Sequence, residues 1–242
     1  MSDGAKVIIP EDKVPGKPLG RHLFHDPGNR DYPIRPLLGL RGDYKPRPLI
    51  RPWWSRPIFE QGGSSCTAQA DIGLTVSVPF RHDAPTKAAR KQFDTEEERH
   101  ALYLESQKWD PWEGGEPQYE GSSTDAPLRV LRDLGVIDGW RWCFGLQDVL
   151  DCLDYWGPVA VGTTWKRDMD TPDNQNRIFF RGEERGGHAW DWEYNDRGDK
   201  EIVAVNSWGK RYGKRGRVRV PYAEAEKMLE DNGEAVTIVL GL

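Results

Sequence analysis

The sequence predicts an α+β protein of two lobes, a helical one followed by a β-rich one. Three observations lead there. Periodic apolar residues, caps and breakers gather between residues 58 and 157. From residue 158 the pattern changes to short β-branched and aromatic runs separated by turn residues. Helices first and strands later is the order of segregated elements, not of alternating βαβ units. At 242 residues the chain can bury one substantial core or two small lobes packed together. The expected organisation is an arm over residues 1–57 and one unit over 58–242, itself divided into lobes at 58–157 and 158–242.

The arm is rich in proline, glycine and arginine and has no sustained period, which predicts extended chain laid over the body. His22 and His25 lie in it and read as surface residues. After Cys66, the residues Ala70, Leu74 and Val78 recur every fourth position, as one face of a buried helix would, and Pro79 breaks the element. Thr75 and Val76 favour a strand there by their branching. Thr95 and Glu98 form a capping box ahead of Ala101, Leu102 and Tyr103. Glu96, Glu97 and Glu98 load that first turn with negative charge and read as a solvated face. Ser122 or Ser123 is placed to cap a third helix through Leu128, Val130, Leu131 and Leu134, ended by Gly135. Val149, Leu150 and Leu153 mark a short helix closed by Gly157-Pro158. Strands are predicted at 159–165, 189–194, 202–206, 217–220 and 236–240, with a turn at 195–199. The basic run at 210–217 reads as a solvated loop beside a strand.

Charge is mixed, with 34 basic and 39 acidic residues and a net charge of −5, so nothing calls for nucleic acid or an anionic membrane as partner. No apolar run is long enough to span a bilayer, and the N-terminus lacks a signal-peptide core. A cytoplasmic or virion-associated location is the expectation. The 3 cysteines leave at most one bridge, Cys143 to Cys152, which suits a reducing compartment. Most of the 11 tryptophans belong in a core or a cleft wall, because that much exposed aromatic surface would aggregate.

The chemistry centres on residues 60–70, which run Glu-Gln-Gly-Gly-Ser-Ser-Cys-Thr-Ala-Gln-Ala. A thiol at a helix N-terminus feels the positive end of the helix dipole, which favours the attacking thiolate. Small residues ahead of it let the backbone turn tightly and admit a substrate. Far downstream stand Gly186-Gly187-His188-Ala189-Trp190 and Asn206-Ser207-Trp208-Gly209. A cysteine nucleophile needs an imidazole to share its proton, and the imidazole needs a third group to hold its orientation. Cys66, His188 and Asn206 supply these in order.

On these motifs the sequence resembles the papain-like cysteine peptidases, over roughly residues 32–242. The resemblance implies a cleft between a helical lobe carrying the cysteine and a barrel-like lobe carrying histidine and asparagine. It implies a peptide or protein substrate, with no cofactor and no metal. Cys66 would be the nucleophile, ion-paired with His188; Asn206 would orient the ring and Trp208 would shield that bond from water. The backbone N–H of Cys66 and the side-chain amide of Gln61 would hold the oxyanion. Gln61 precedes Cys66 by one position fewer than is usual in the family, which shortens that loop. His188 falls slightly short of the family's separation of about 130–150 residues from the cysteine, and Asn206 lies within it. Gly121, Ser122 and Ser123 match the segment that lines the cleft and pairs with substrate backbone; an ordinary cap loop is the alternative. The family's inhibitory propeptides are helical and longer than residues 1–57, so the arm is not read as one. It either covers the cleft or docks a partner in a larger assembly. Two other readings use the same residues: a retired scaffold, for instance in a virus particle, and a cell-wall peptide amidase or endopeptidase. A short, disulfide-poor chain of this kind points by analogy to a bacterial or phage source.

Overall fold

The computed structural model describes residues 5–40 and 56–241; the rest of the predicted arm, residues 1–4 and 41–55, lies outside them. Strands β1 (Ala5–Val7) and β2 (Leu23–His25) pair antiparallel, and residues 8–22 between them cross the body. A 3-10 turn at Pro27–Asp31 follows, capped by the Asp26 side chain, and then helix α1 (Arg35–Leu40). The arm is therefore not extended throughout.

The helical side contains α2 (Cys66–Thr75), α3 (Ala84–Gln92), α4 (Glu96–Ser106) and α5 (Ala126–Asp133). Helix α2 is buried on every side rather than on one face. Its end precedes Val78, because the Thr75 and Ser77 hydroxyls donate to the carbonyls of Ile72 and Gly73 at 2.8 and 2.7 Å and Pro79 follows. Helix α4 has the expected capping box, Thr95 exchanging hydrogen bonds with Glu98. Asp125, not Ser122 or Ser123, is the N-cap residue of α5. The Ser122 hydroxyl instead donates to Asp110 and that of Ser123 to Asp125, at 2.8 and 2.7 Å.

The second half adds β3 (Gly139–Cys143), α6 (Leu146–Tyr155), β4 (Val159–Lys166), β5 (Glu184–Asp196), β6 (Glu201–Val205), β7 (Arg217–Pro221), α7 (Tyr222–Glu230) and β8 (Glu234–Val239). All five predicted strands are present. The six strands form one antiparallel sheet in the order β3-β8-β4-β5-β6-β7. Register places Gly162 of β4 between Ala189 of β5 and Glu234 of β8, and Thr163 opposite His188.

Helix α2 packs on β5, where Trp190 and Trp192 are fully buried. Charges cross this same interface. Arg56 Nη1 lies 3.2 Å from Asp191, its Nε lies 3.7 Å from Glu193, and Arg217 reaches Glu193 at 3.0 Å. The guanidinium passes where a side chain at Gly73 would stand: a Cβ there would come within 2.1 Å of Arg56 Nη1. Burial, opposed by Arg56, pushes the Asp191 carboxyl up to about 8. Cys143 and Cys152 are both free thiols and buried. Among the described residues no helix is long and apolar enough to cross a membrane.

Candidate active site

Cys66 is the first residue of α2, so its N–H lies in the turn that has no intrahelical acceptor. Its Sγ accepts from the Ala189 N–H at 3.4 Å, which brings it to the strand that carries His188. The ring Nε2 of His188 lies 2.8 Å from Asn206 Oδ1, just past the end of β6. The Ser207 N–H donates to the same Oδ1 at 2.7 Å, which identifies that atom as the oxygen. Nε2 is therefore the protonated nitrogen and Nδ1 the basic one. Nδ1 has no hydrogen-bond partner among the described residues. Trp165 meets the ring edge-on at 4.9 Å, and Trp208 covers it at 5.0 Å.

Cys66 and His188 are both 0 % exposed. Burial pushes the thiol up to about 12, against the pull of the Ala189 N–H. Burial also pushes the imidazole down to about 3, against the bond to Asn206. Both shifts favour the neutral forms over the ion pair expected from the sequence.

The arm runs alongside this pair. Gly20 and Arg21 donate their N–H groups to the Gly187 carbonyl at 3.1 and 2.9 Å. On the other side Ser122 N–H donates to Gly20 O at 2.8 Å, and His22 N–H donates to Ser122 O at 2.9 Å. Trp208 Nε1 donates to Pro18 O at 2.8 Å. Residues 18–22 therefore lie in the cleft, held between Gly187 and Ser122. The glycines make room: a Cβ on Gly187 would sit 2.1 Å from Arg21 O, and one on Gly20 would sit 2.1 Å from Ser64 O. Arg185 fixes the approach, donating to the carbonyls of Asp12 and Lys17 at 2.9 and 3.2 Å. His22, expected at the surface, is buried: its Nδ1 accepts from Ile9 N–H at 3.2 Å and its Nε2 donates to Glu120 O at 2.7 Å.

Gln61 is close by but occupied. Its amide donates to Gly63 O within its own loop at 2.7 Å, with longer contacts of 3.4 and 3.5 Å to Pro18 O and Leu19 O. Its Oε1 accepts from the Ser207 hydroxyl. Glu96, read as part of a solvated face, anchors this loop by accepting from Gly62 N–H and from the Gln69 amide, both at 2.8 Å. Gly121 and Ser122 line the cleft, whereas the hydroxyl of Ser123 is directed to Asp125.

Sequence reasoning also missed Arg21, whose guanidinium is wholly buried against Glu234 on β8. The Gly186-Gly187 pair was the one local signal that chain would pass close to His188. Among the described residues no group of three or more His, Cys, Asp or Glu side chains could hold a metal ion.

No protein-family model and no curated protein matches the sequence. Solved structures do match. Xylellain, a cysteine protease from Xylella fastidiosa, is 14 % identical over 99 % of this chain and 97 % of its own, with a TM-score of 0.57. The digestive procathepsin L2 proteinase from Tenebrio molitor larval midgut is 16 % identical over 95 % of this chain and 81 % of its own, with a TM-score of 0.60. The procathepsin L 3 from the same tissue is 14 % identical over 82 % and 72 %, with a TM-score of 0.52. With its helical side, its antiparallel sheet and these neighbours, the chain has the α+β fold of the papain-like cysteine proteases.

Proposed function

We propose that the protein is a cysteine peptidase that hydrolyses peptide bonds through Cys66 and is closed by its own arm. Residues 58–242 form the catalytic unit in this reading, and residues 1–57 the arm. One observation carries it: the 2.8 Å bond from His188 Nε2 to Asn206 leaves Nδ1 basic and, among the described residues, unpartnered, one residue from the N–H that touches Cys66 Sγ. When the arm leaves, water returns, the thiol becomes more acidic and the imidazole more basic. Nδ1 takes the thiol proton, and the thiolate attacks the carbonyl carbon of a peptide or protein substrate. The proton then passes to the leaving amine as the C–N bond breaks, and water hydrolyses the thioester. Asn206 holds the ring and Trp208 shields their bond. The Cys66 N–H and the Gln61 amide stabilise the oxyanion, the latter once it exchanges Gly63 O for the substrate oxygen. Losing one such donor costs about a hundred- to a thousand-fold in rate.

A second reading, a closed scaffold without turnover, draws on the complete burial of Cys66 and His188 and on the engaged Gln61 amide. Intact mass after treatment with an epoxysuccinyl inhibitor separates the two. One adduct on the reduced protein or on Gly20→Val, absent from Cys66→Ser and His188→Ala, is the peptidase result. A folded Gly20→Val that takes no adduct favours the scaffold.

A further inference from the structure

The Arg21 side chain runs from the arm into the body of the protein, and nothing in the proposed chemistry uses it. Its side chain is 0 % exposed. Nε and Nη2 donate to Glu234 Oε1 at 3.2 and 2.7 Å, and Nη2 donates to Asn232 O at 2.9 Å. Thr124 donates its hydroxyl to the same Glu234 oxygen at 2.7 Å. Gly162 leaves the space: a Cβ there would come within 2.9 Å of Arg21 Nε and 2.6 Å of the Thr124 hydroxyl. Asn232 takes a left-handed conformation, φ +59°, in the turn before β8.

Among the described residues the hydrogen-bond partners of this guanidinium, Glu234 and Asn232, belong to the body; Nη1 has none, and His25 of the arm lies 4.0 Å from the second Glu234 oxygen. The pocket is therefore complete without Arg21 and loses its cation when the arm lifts. A carboxylate set this deep does not stay unpaired without a large penalty, so the vacated pocket favours another cation. It is also in the right place. Gly162 is opposite Ala189, whose N–H touches Cys66 Sγ, and the backbone of Arg21 is bonded to Gly187, next to His188. A carboxylate oxygen that takes both Nε and Nη2, with a carbonyl beside it for Nη2, suits the fork of a guanidinium better than an ammonium.

We propose that the pocket floored by Glu234 is a substrate-specificity pocket for an arginine side chain, with Arg21 as its intramolecular occupant. The proposal rests on the peptidase reading for its role in cleavage, but not for the binding itself. Two measurements therefore keep the two apart. The first is calorimetric titration of full-length Cys66→Ala/Arg21→Ala with N-acetylated tetrapeptide amides that carry Arg, Lys, Leu or Glu at each position in turn. At one position Arg binds at least about tenfold more tightly than Leu, Lys falls between them, and adding Glu234→Gln removes the preference. Equal binding of Arg and Leu at every position, or no binding, overturns the proposal. The second is hydrolysis of the matching fluorogenic peptides by Arg21→Ala with Cys66 intact. An Arg preference in kcat/KM that Glu234→Gln abolishes supports the pocket, and turnover without it overturns it. Arg-selective binding without any turnover upholds the pocket and refutes the peptidase reading. If Arg21→Ala does not fold, Gly20→Val unseats the arm by its clash with Ser64 O and takes its place in both experiments.

Discussion

Unseating the arm should wake the thiol, and the size of the effect follows from the burial of Cys66. Gly20→Val is the perturbation: its Cβ would lie 2.1 Å from Ser64 O, and Gly20 has φ +131°, so a branched residue cannot keep this path. With the arm in place burial holds the thiol at about 12 against an ordinary 9.0. Return to the ordinary value raises the thiolate fraction at pH 8 by about a thousandfold. A less basic thiolate is also a weaker nucleophile, with a Brønsted slope of about 0.45, which removes a factor of roughly twenty. The net gain is about fifty-fold before any gain in steric access is counted. The assay is the rate of carbamidomethylation by iodoacetamide at pH 8, followed by intact mass, with adducts on Cys66 separated from Cys143 and Cys152 by peptide mapping. The rate profile against pH should also move to lower pH in the variant. Equal rates and superimposable profiles in a folded Gly20→Val would refute the argument that the arm keeps the pair neutral.

Asn206→Ala leaves the buried His188 Nε2–H without its acceptor, so it should lower stability by about 1–3 kcal/mol in urea unfolding and weaken labelling of Cys66 in the Gly20→Val background. Gly73→Ala puts a Cβ 2.1 Å from Arg56 Nη1 and 2.2 Å from Asp191 Oδ2; displacing the arginine takes the buried Asp191 from its partner while Glu193 keeps Arg217, and a loss of about 3–5 kcal/mol is expected. Stability should also carry two opposed pH dependences. The folded His188 sits at about 3, below its ordinary 6.5, so its contribution is full above about pH 6.5 and fades as pH falls towards 3. Asp191 at about 8, and Asp71 raised by burial and by the nearby Asp191, sit above their ordinary 3.8, so their contribution is full below that value and fades as pH rises. In urea titrations between pH 4 and 8, Asp71→Asn should therefore lose less stability on going up in pH than the wild type does.

The residues that sequence made legible are those whose task is local. A capping box, a strand-turn-strand pattern and an Asn-Ser-Trp-Gly run each depend on neighbours in the chain; Thr95 and the turn at 195–199 stand where they were expected, and Asn206 lies 2.8 Å from His188. Helix α2 gave a misleading period because a helix enclosed on all sides has no polar face to contrast with its apolar one. Helix α3 buries only Thr86 and Ala89, too little to mark a stripe. The charges of Glu96 and Arg21 were equally silent, since a solvated carboxylate and one that anchors a loop have the same letter. What distinguishes them is a partner reached through the fold: 34 residues away for Gly62 with Glu96 and 213 for Arg21 with Glu234. The packing of residues 18–22 beside His188 was hidden for the same reason, because that segment is remote from it in the sequence.

The Arg56 contacts between α2 and β5 also bear on how the cleft can open. Oily surfaces slide, because one apolar contact is much like the next. A guanidinium threaded past Gly73 between Asp191 and Glu193 has a single register, and any shear between helix and sheet would strand charge in a dry place. The two walls of the cleft are thereby fixed to one another close to the nucleophile. In the proposed mechanism access therefore comes from peeling one strand of chain off a fixed body, a box with a removable ribbon and not a jaw.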